Sequence, residues 1–113
     1  MKKYLIAALL LLVVSTSYAW AAFQLWGYVR YGTTGLLVGS GKPVLVYESI
    51  ESDDPGTCYT NGSSIYSWGF YGTKYFYMVS CAFVVGPTHY YGERIIDNWL
   101  SGDSQYDILV YRQ

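Results

Sequence analysis

The chain has 113 residues, a formal net charge of −1 and only 13% charged residues. That length limits it to one domain, and the near-neutral balance argues against a nucleic-acid binder that relies on a basic surface. A hydrophobic content of 52% excludes a disordered tail, while 14 Tyr, 4 Trp and 12 Gly suit strands punctuated by turns.

Met1-Lys2-Lys3 is a short positive segment, Leu5–Val14 an unbroken apolar run, and Ser15–Ala19 turns small and polar. This order matches a secretory signal peptide, whose peptidase needs small residues at its −3 and −1 pockets. Ser17 and Ala19 would direct cleavage before Trp20; Ala19 and Ala21 would direct it before Ala22. Left uncleaved, Tyr4–Trp26 would just span a bilayer. Ser15, Thr16, Ser17 and Gln24 interrupt that run, so cleavage is favoured over an anchor. The expected organisation is a leader over residues 1–21 and one domain over residues 22–113, secreted or periplasmic. Loss of Lys2 and Lys3 leaves 5 Lys/Arg against 8 Asp/Glu, a balance of −3.

Phe23–Tyr31 alternates with period two, which predicts a strand with Phe23, Leu25, Val29 and Tyr31 on one face and Gln24, Trp26, Tyr28 and Arg30 on the other. Turns follow at Gly32–Gly35 and Gly39–Gly41. Pro43–Glu48 is a second strand, with proline first, where its missing N–H is tolerated. The acidic stretch Ser49–Gly56 closes on the turn signal Asp53-Asp54-Pro55-Gly56.

Thr57–Thr60 and Ser64–Trp68 read as strands around an Asn61-Gly62 hairpin-type turn. Tyr75–Val85 is the longest run. Tyr75, Tyr77, Val79, Cys81, Phe83 and Val85 are expected on one face, with Phe76, Met78, Ser80, Ala82 and Val84 on the other. Both sets are largely apolar, which predicts a central strand. Gly86-Pro87 ends it. His89–Ile96 is a further strand, Asp97–Asp103 a loop or one helical turn, and Tyr106–Tyr111 the last strand. About seven short strands with no helix in the mature part predict an all-β fold, a small antiparallel β-sandwich.

Cys58 and Cys81 are the only cysteines. In an oxidising compartment such a pair is read as a structural disulfide, which would stabilise a small domain by about 3 kcal/mol in the chain-entropy model. No Cys-x-x-Cys redox motif is present, and two Cys with one His leave a metal site without a fourth ligand.

Gly27-Tyr28-Val29, Thr34-Gly35, Gly41-Lys42-Pro43-Val44, Thr60-Asn61-Gly62 and Gly72-Thr73-Lys74-Tyr75 occur in an order that resembles the transthyretin-like or carboxypeptidase-regulatory-like modules. The likeness covers just over half of the mature chain, and its Thr-Asn-Gly turn is one residue shorter than the family's. It implies a prealbumin-type sandwich of about seven strands and a structural, adhesive or protein-interaction role. The related hydroxyisourate hydrolases end in Tyr-Arg-Gly-Ser and use more than one His. This chain ends Tyr111-Arg112-Gln113 and has only His89, so no catalytic residue is carried over and no enzyme is expected.

His89 has no nucleophile motif beside it, although Glu93 follows four residues later. Glu48, Glu51, Asp53 and Asp54 lack the spacing of a calcium loop and read as a solvated turn. No metal or cofactor is expected. The aromatic surplus is more informative. Trp26, Tyr28, Tyr66, Trp68, Tyr90 and Tyr91 form the expected interaction face, because Tyr and Trp supply apolar area with a polar tip. Three uses follow in order of preference: filling cross-strand pairs with no partner, binding a protein or another copy of the chain, and stacking on a carbohydrate. Ala21–Trp26 is a candidate donor segment for pairing with an open edge strand.

Overall fold

The computed structural model describes residues 22–51 and 54–113. The expected leader over residues 1–21, Asp53 of the acidic turn and Ala21 of the candidate donor segment lie outside the described residues. Eight strands follow in order: β1 (Ala22–Tyr31), β2 (Pro43–Tyr47), β3 (Gly56–Tyr59), β4 (Ile65–Tyr71), β5 (Lys74–Val85), β6 (Thr88–Leu100), β7 (Ser104–Gln105) and β8 (Ile108–Arg112). The all-β expectation holds. The strands form one sheet in the order β3-β2-β5-β6-β8-β1-β4, with β7 also beside β1.

The sheet curls until its two ends meet, which gives a sandwich that is nearly a barrel. At the meeting point the Trp68 indole on β4 lies directly over Gly56 on β3; a Cβ on Gly56 would come within 2.2 Å of the ring. Asn61-Gly62 therefore does not close a hairpin. It crosses from one end of the sheet to the other, because β4 pairs with β1 and β3 with β2. Asn61 Oδ1 accepts the Ser63 and Ile65 amides at 2.9 and 3.1 Å. The buried Thr60 hydroxyl donates to the Gly39 carbonyl and accepts the Lys42 amide. Those bonds fix the crossing without a ladder.

β1 follows its expected alternation: Leu25 and Val29 are fully buried, and Trp26, Tyr28 and Arg30 lie on the opposite face. Its pairing with β4 is antiparallel but its pairings with β7 and β8 are parallel, the departure from an all-antiparallel sheet. Ala22–Trp26 pairs throughout with β4, and Leu25 and Trp26 pair with β7 as well, so the donor-segment expectation is corrected: this stretch is already a paired strand within the chain.

The β5–β6 hairpin is the long spine of the fold, and β5 is central as predicted, lying between β2 and β6. Its two faces are not continuous. Phe76 opposes Asn98 but Met78 opposes Ile95, so Tyr77 faces two residues of β6, Ile96 and Asp97. Asp97 takes a φ of 44° in this β-bulge, a left-handed conformation that aspartate tolerates better than most residues. The alternation shifts by one at this point. Phe76 turns inward with Val79 and Cys81, instead of outward with Met78 and Val84. The bulge also lets β6 continue to Leu100, where the sequence predicted a loop or helical turn from Asp97.

The core is built from Leu25, Val29, Val44, Val46, Tyr66, Phe70, Phe76, Val79, Ile108 and Val110, all essentially inaccessible. Phe70 joins Phe23 at 5.7 Å and Phe76 at 5.1 Å between ring centroids, tilted contacts that suit the aromatic quadrupole. Tyr66 fits this interior because its hydroxyl donates to the Tyr106 carbonyl. Among the described residues no buried side-chain polar atom lacks a partner.

Candidate interaction surface

The register divides the six aromatic residues of the expected face into two sets. Trp26, Tyr28 and Tyr91 stand on the outer side of the sheet, each half-buried. Tyr66 is fully buried, and Trp68 and Tyr90 are packed against the core. The expectation is corrected for these three. Tyr66, Trp68 and Phe70 share one side of β4, and that side faces inward. Tyr90 stacks on Phe83 at 5.3 Å and meets Tyr31 edge-on at 5.1 Å.

On the outer side, Trp26 and Tyr28 meet at 6.0 Å with ring planes 67° apart. The Arg30 guanidinium lies 5.0 Å from the centre of the Tyr28 ring, and one of its N–H groups donates to the Gly35 carbonyl. A guanidinium over a tyrosine face is attracted by the ring quadrupole and holds both side chains in place.

Leu37 bridges Arg30 from one side and Leu109 pairs with it from the other, giving an outer row Leu37–Arg30–Leu109. Both leucines are exposed, at 43% and 44%. Tyr111, also exposed, pairs with Tyr91 on β6 and extends the face. The Tyr91 hydroxyl donates to Glu93 at 2.8 Å. Partial burial, then the Glu93 carboxylate, pushes the Tyr91 pKa up to about 12. Glu93 is thus bonded to Tyr91, not arranged as an orienting carboxylate for His89.

Asp103 and Asp107 have a local structural use. Asp103 accepts the Gln24 amide at 2.8 Å and Asp107 accepts the Tyr28 amide at 2.9 Å. They satisfy β1 donors beside the short β7 ladder, and so hold the strand that carries Trp26 and Tyr28.

Leu37, Leu109 and Tyr111 were not recognised in the sequence as part of this face. Leu37 lies between the two expected turns, Leu109 joins only through the parallel β1–β8 pairing, and Tyr111 only through its pairing with Tyr91. A separate outer group, Tyr75, Asp97 and Trp99, was missed because Asp97 and Trp99 fell in the expected loop. Tyr75 and Trp99 meet at 5.6 Å, and the Tyr75 hydroxyl donates to the Asp97 carboxylate. That bond, foremost, pushes the Tyr75 pKa up to about 12.

Among the described residues no group of three His, Cys, Asp or Glu side chains is arranged to hold a metal ion, and no enclosed pocket is present. Glu48 forms an ion pair with Lys74 at 3.1 Å.

The expected disulfide is not formed: Cys58 and Cys81 are free thiols. Val44 pairs with Cys58 on one side and with Cys81 on the other, so a whole strand separates them. Two strand spacings put their Cα atoms about 9–10 Å apart, beyond the roughly 7 Å that a disulfide spans without backbone movement. Burial pushes the Cys58 pKa up to about 11 and that of Cys81 up to about 12. Two consequences are measurable by urea unfolding. The midpoint is expected to be the same with and without reductant, and a fall under reductant would contradict free thiols. Unfolded thiols ionise near 9.0, before the folded ones. Their contribution is therefore complete below pH 9 and lost as pH rises towards 11 and 12.

No family model matches the chain, and no curated protein does. Among solved structures, a crystal structure of a DUF3823 family protein from Parabacteroides merdae ATCC 43184 is similar over 79% of this chain and 45% of that one, with 16% identity and a TM-score of 0.48. The chain thus spans less than half of that structure's length.

Proposed function

We propose that this chain is an exported, non-enzymatic binding module whose outer β1–β8 face docks against a second copy of itself. The observation that carries the reading is the Trp26–Tyr28–Arg30 stack beside exposed Leu37 and Leu109. Trp, Tyr and Arg are the residue types that dominate binding energy at protein interfaces. Their arrangement on paired strands fixes their rotamers before any partner arrives, which lowers the entropy cost of association.

A second copy suits this face because one patch offers both halves of a contact. Flat aromatic rings lie on one flank and an aliphatic row beside them, so a two-fold axis running between the rings and the row lays the rings of each copy over the leucines of the other. Arg30 is held over the Tyr28 ring and tied to the Gly35 carbonyl, and an axis displaced from the row keeps it from facing its mate. Export rests on the leader-like residues 1–21. Kinship with the transthyretin-like modules rests on the motif order from Gly27 to Tyr75. Light scattering on residues 22–113, which contain every strand described, tests the reading. A mass above the monomer that falls on dilution is expected. A monomer at every concentration would refute it.

A further inference from the structure

The outer group at the far end of the β5–β6 hairpin differs in chemistry from the β1–β8 face. Trp99 is 65% exposed, the most exposed tryptophan among the described residues. It is nonetheless held in place. Its amide donates to Asn98 Oδ1 at 2.9 Å, its strand pairs Trp99 with Tyr75, and the Tyr75 ring meets the indole at 61°. Tyr75 is itself tied to Asp97 through its hydroxyl. The bulge at Asp97 makes this possible: the left-handed residue turns its carboxylate towards the Tyr75 hydroxyl, beside the two rings.

We infer that Trp99, Tyr75 and Asp97 form a binding subsite for a neutral pyranose unit of a glycan. A flat, fixed and solvent-facing indole presents a negative quadrupole face, which attracts the weakly positive axial C–H groups on one side of a sugar ring. Removing both apolar surfaces from water adds to that attraction. A carboxylate beside the ring accepts sugar hydroxyls, and charge-assisted hydrogen bonds are stronger than neutral ones. Asp97 has a second oxygen for this once one oxygen has taken the Tyr75 proton donor. The indole's aromatic neighbour is the Tyr75 phenol, whose hydroxyl carries the Asp97 carboxylate, so the group offers polar acceptors next to an apolar ring. The preorganisation matters for a small ligand, which offers few atoms with which to offset the ordering of side chains.

This site is independent of the self-association proposed above, since none of its residues belongs to the β1–β8 face. The test is intrinsic tryptophan fluorescence and titration calorimetry of residues 22–113 with neutral hexasaccharides of β-linked glucose, xylose, mannose and N-acetylglucosamine. At least one is expected to perturb the emission and bind saturably. Trp99→Ala is expected to weaken that binding about tenfold or more, and Tyr75→Phe, which keeps the ring but releases the carboxylate, to weaken it severalfold. Trp26→Ala is expected to bind as the unaltered chain does. No saturable binding of any of the four, or binding by Trp99→Ala equal to the unaltered chain, would overturn the assignment. Light scattering of Trp99→Ala separates the two proposals, because its mass is expected to match the unaltered chain whatever the sugars do.

Discussion

The Gly92→Ala variant is expected to lose about 3 kcal/mol or more of folding stability, at the upper end of what overpacking costs. A Cβ at this position would stand 1.9 Å from the Leu109 carbonyl oxygen, 2.7 Å from its carbon and 2.9 Å from the Val110 Cα. All three are backbone atoms of β8, so no flexible side chain can swing away. The strand itself must shift, and it is held on one side by Tyr90–Arg112 and Tyr91–Tyr111 and on the other by the parallel ladder to β1. Displacing β8 also withdraws Leu109 and Tyr111 from the outer face, so association is expected to weaken together with stability. Gly62→Ala serves as the control, because nothing lies within 4 Å of its Cβ position and a change within about 0.5 kcal/mol is expected. Urea unfolding of both variants reads the difference. A loss below about 1 kcal/mol for Gly92→Ala would show that β8 does not cross there as described.

Phe76→Ala is expected to be equally severe, about 3–5 kcal/mol, through lost burial and the cavity left behind. Phe76 is fully buried and meets Phe70 edge-on, and Phe70 in turn meets Phe23, so one deletion loosens β5, β4 and β1 together. The same variant tests the bulge. Had the alternation of β5 continued unbroken, Phe76 would share the outer side with Met78 and Val84, and its removal would cost little. Val84, 53% exposed, is the matching control. A small effect of Phe76→Ala in thermal or urea unfolding would place the register shift elsewhere.

Much of the fold is legible where polar and apolar residues alternate. Phe23–Tyr31 shows both its strand and its inward side, because Gln24 and Arg30 mark the wet face. On β4 the bulky Tyr66, Trp68 and Phe70 alternate with Ser67 and Gly69, a pattern that identifies the inner side. Placing Tyr66 and Trp68 outside set aside that signal in favour of their polar tips. Phe76, Tyr77 and Met78 are all apolar or aromatic, so period two has no phase there and the bulge leaves no local mark. Nothing near Asp97 announces its left-handed backbone, which hid the extension of β6 and with it Trp99.

Long-range pairing is illegible for a different reason. Asn61-Gly62 has the local chemistry of a hairpin turn, yet its flanking strands find partners in β2 and β1, far away in sequence. The two cysteines share an inner side but are separated by Val44, a fact set by the order of strands and not by the spacing of residues. The β1–β8 face was half legible. Trp26, Tyr28 and Tyr91 were identified, but Leu37, Leu109 and Tyr111 reach it only through pairings that no local pattern specifies.

The measurement that bears most directly on the proposed face is sedimentation velocity across a concentration series, comparing residues 22–113 with the Trp26→Ala/Tyr28→Ala variant. These two side chains are half-buried on the outer side and contribute little to the core. The paired substitution is expected to leave the urea midpoint nearly unchanged at dilutions where both are monomeric, while returning the species to monomer at concentrations where the unaltered chain is larger. An assembly of the same size in both proteins, with both folded, would contradict the proposed self-association through the outer β1–β8 face.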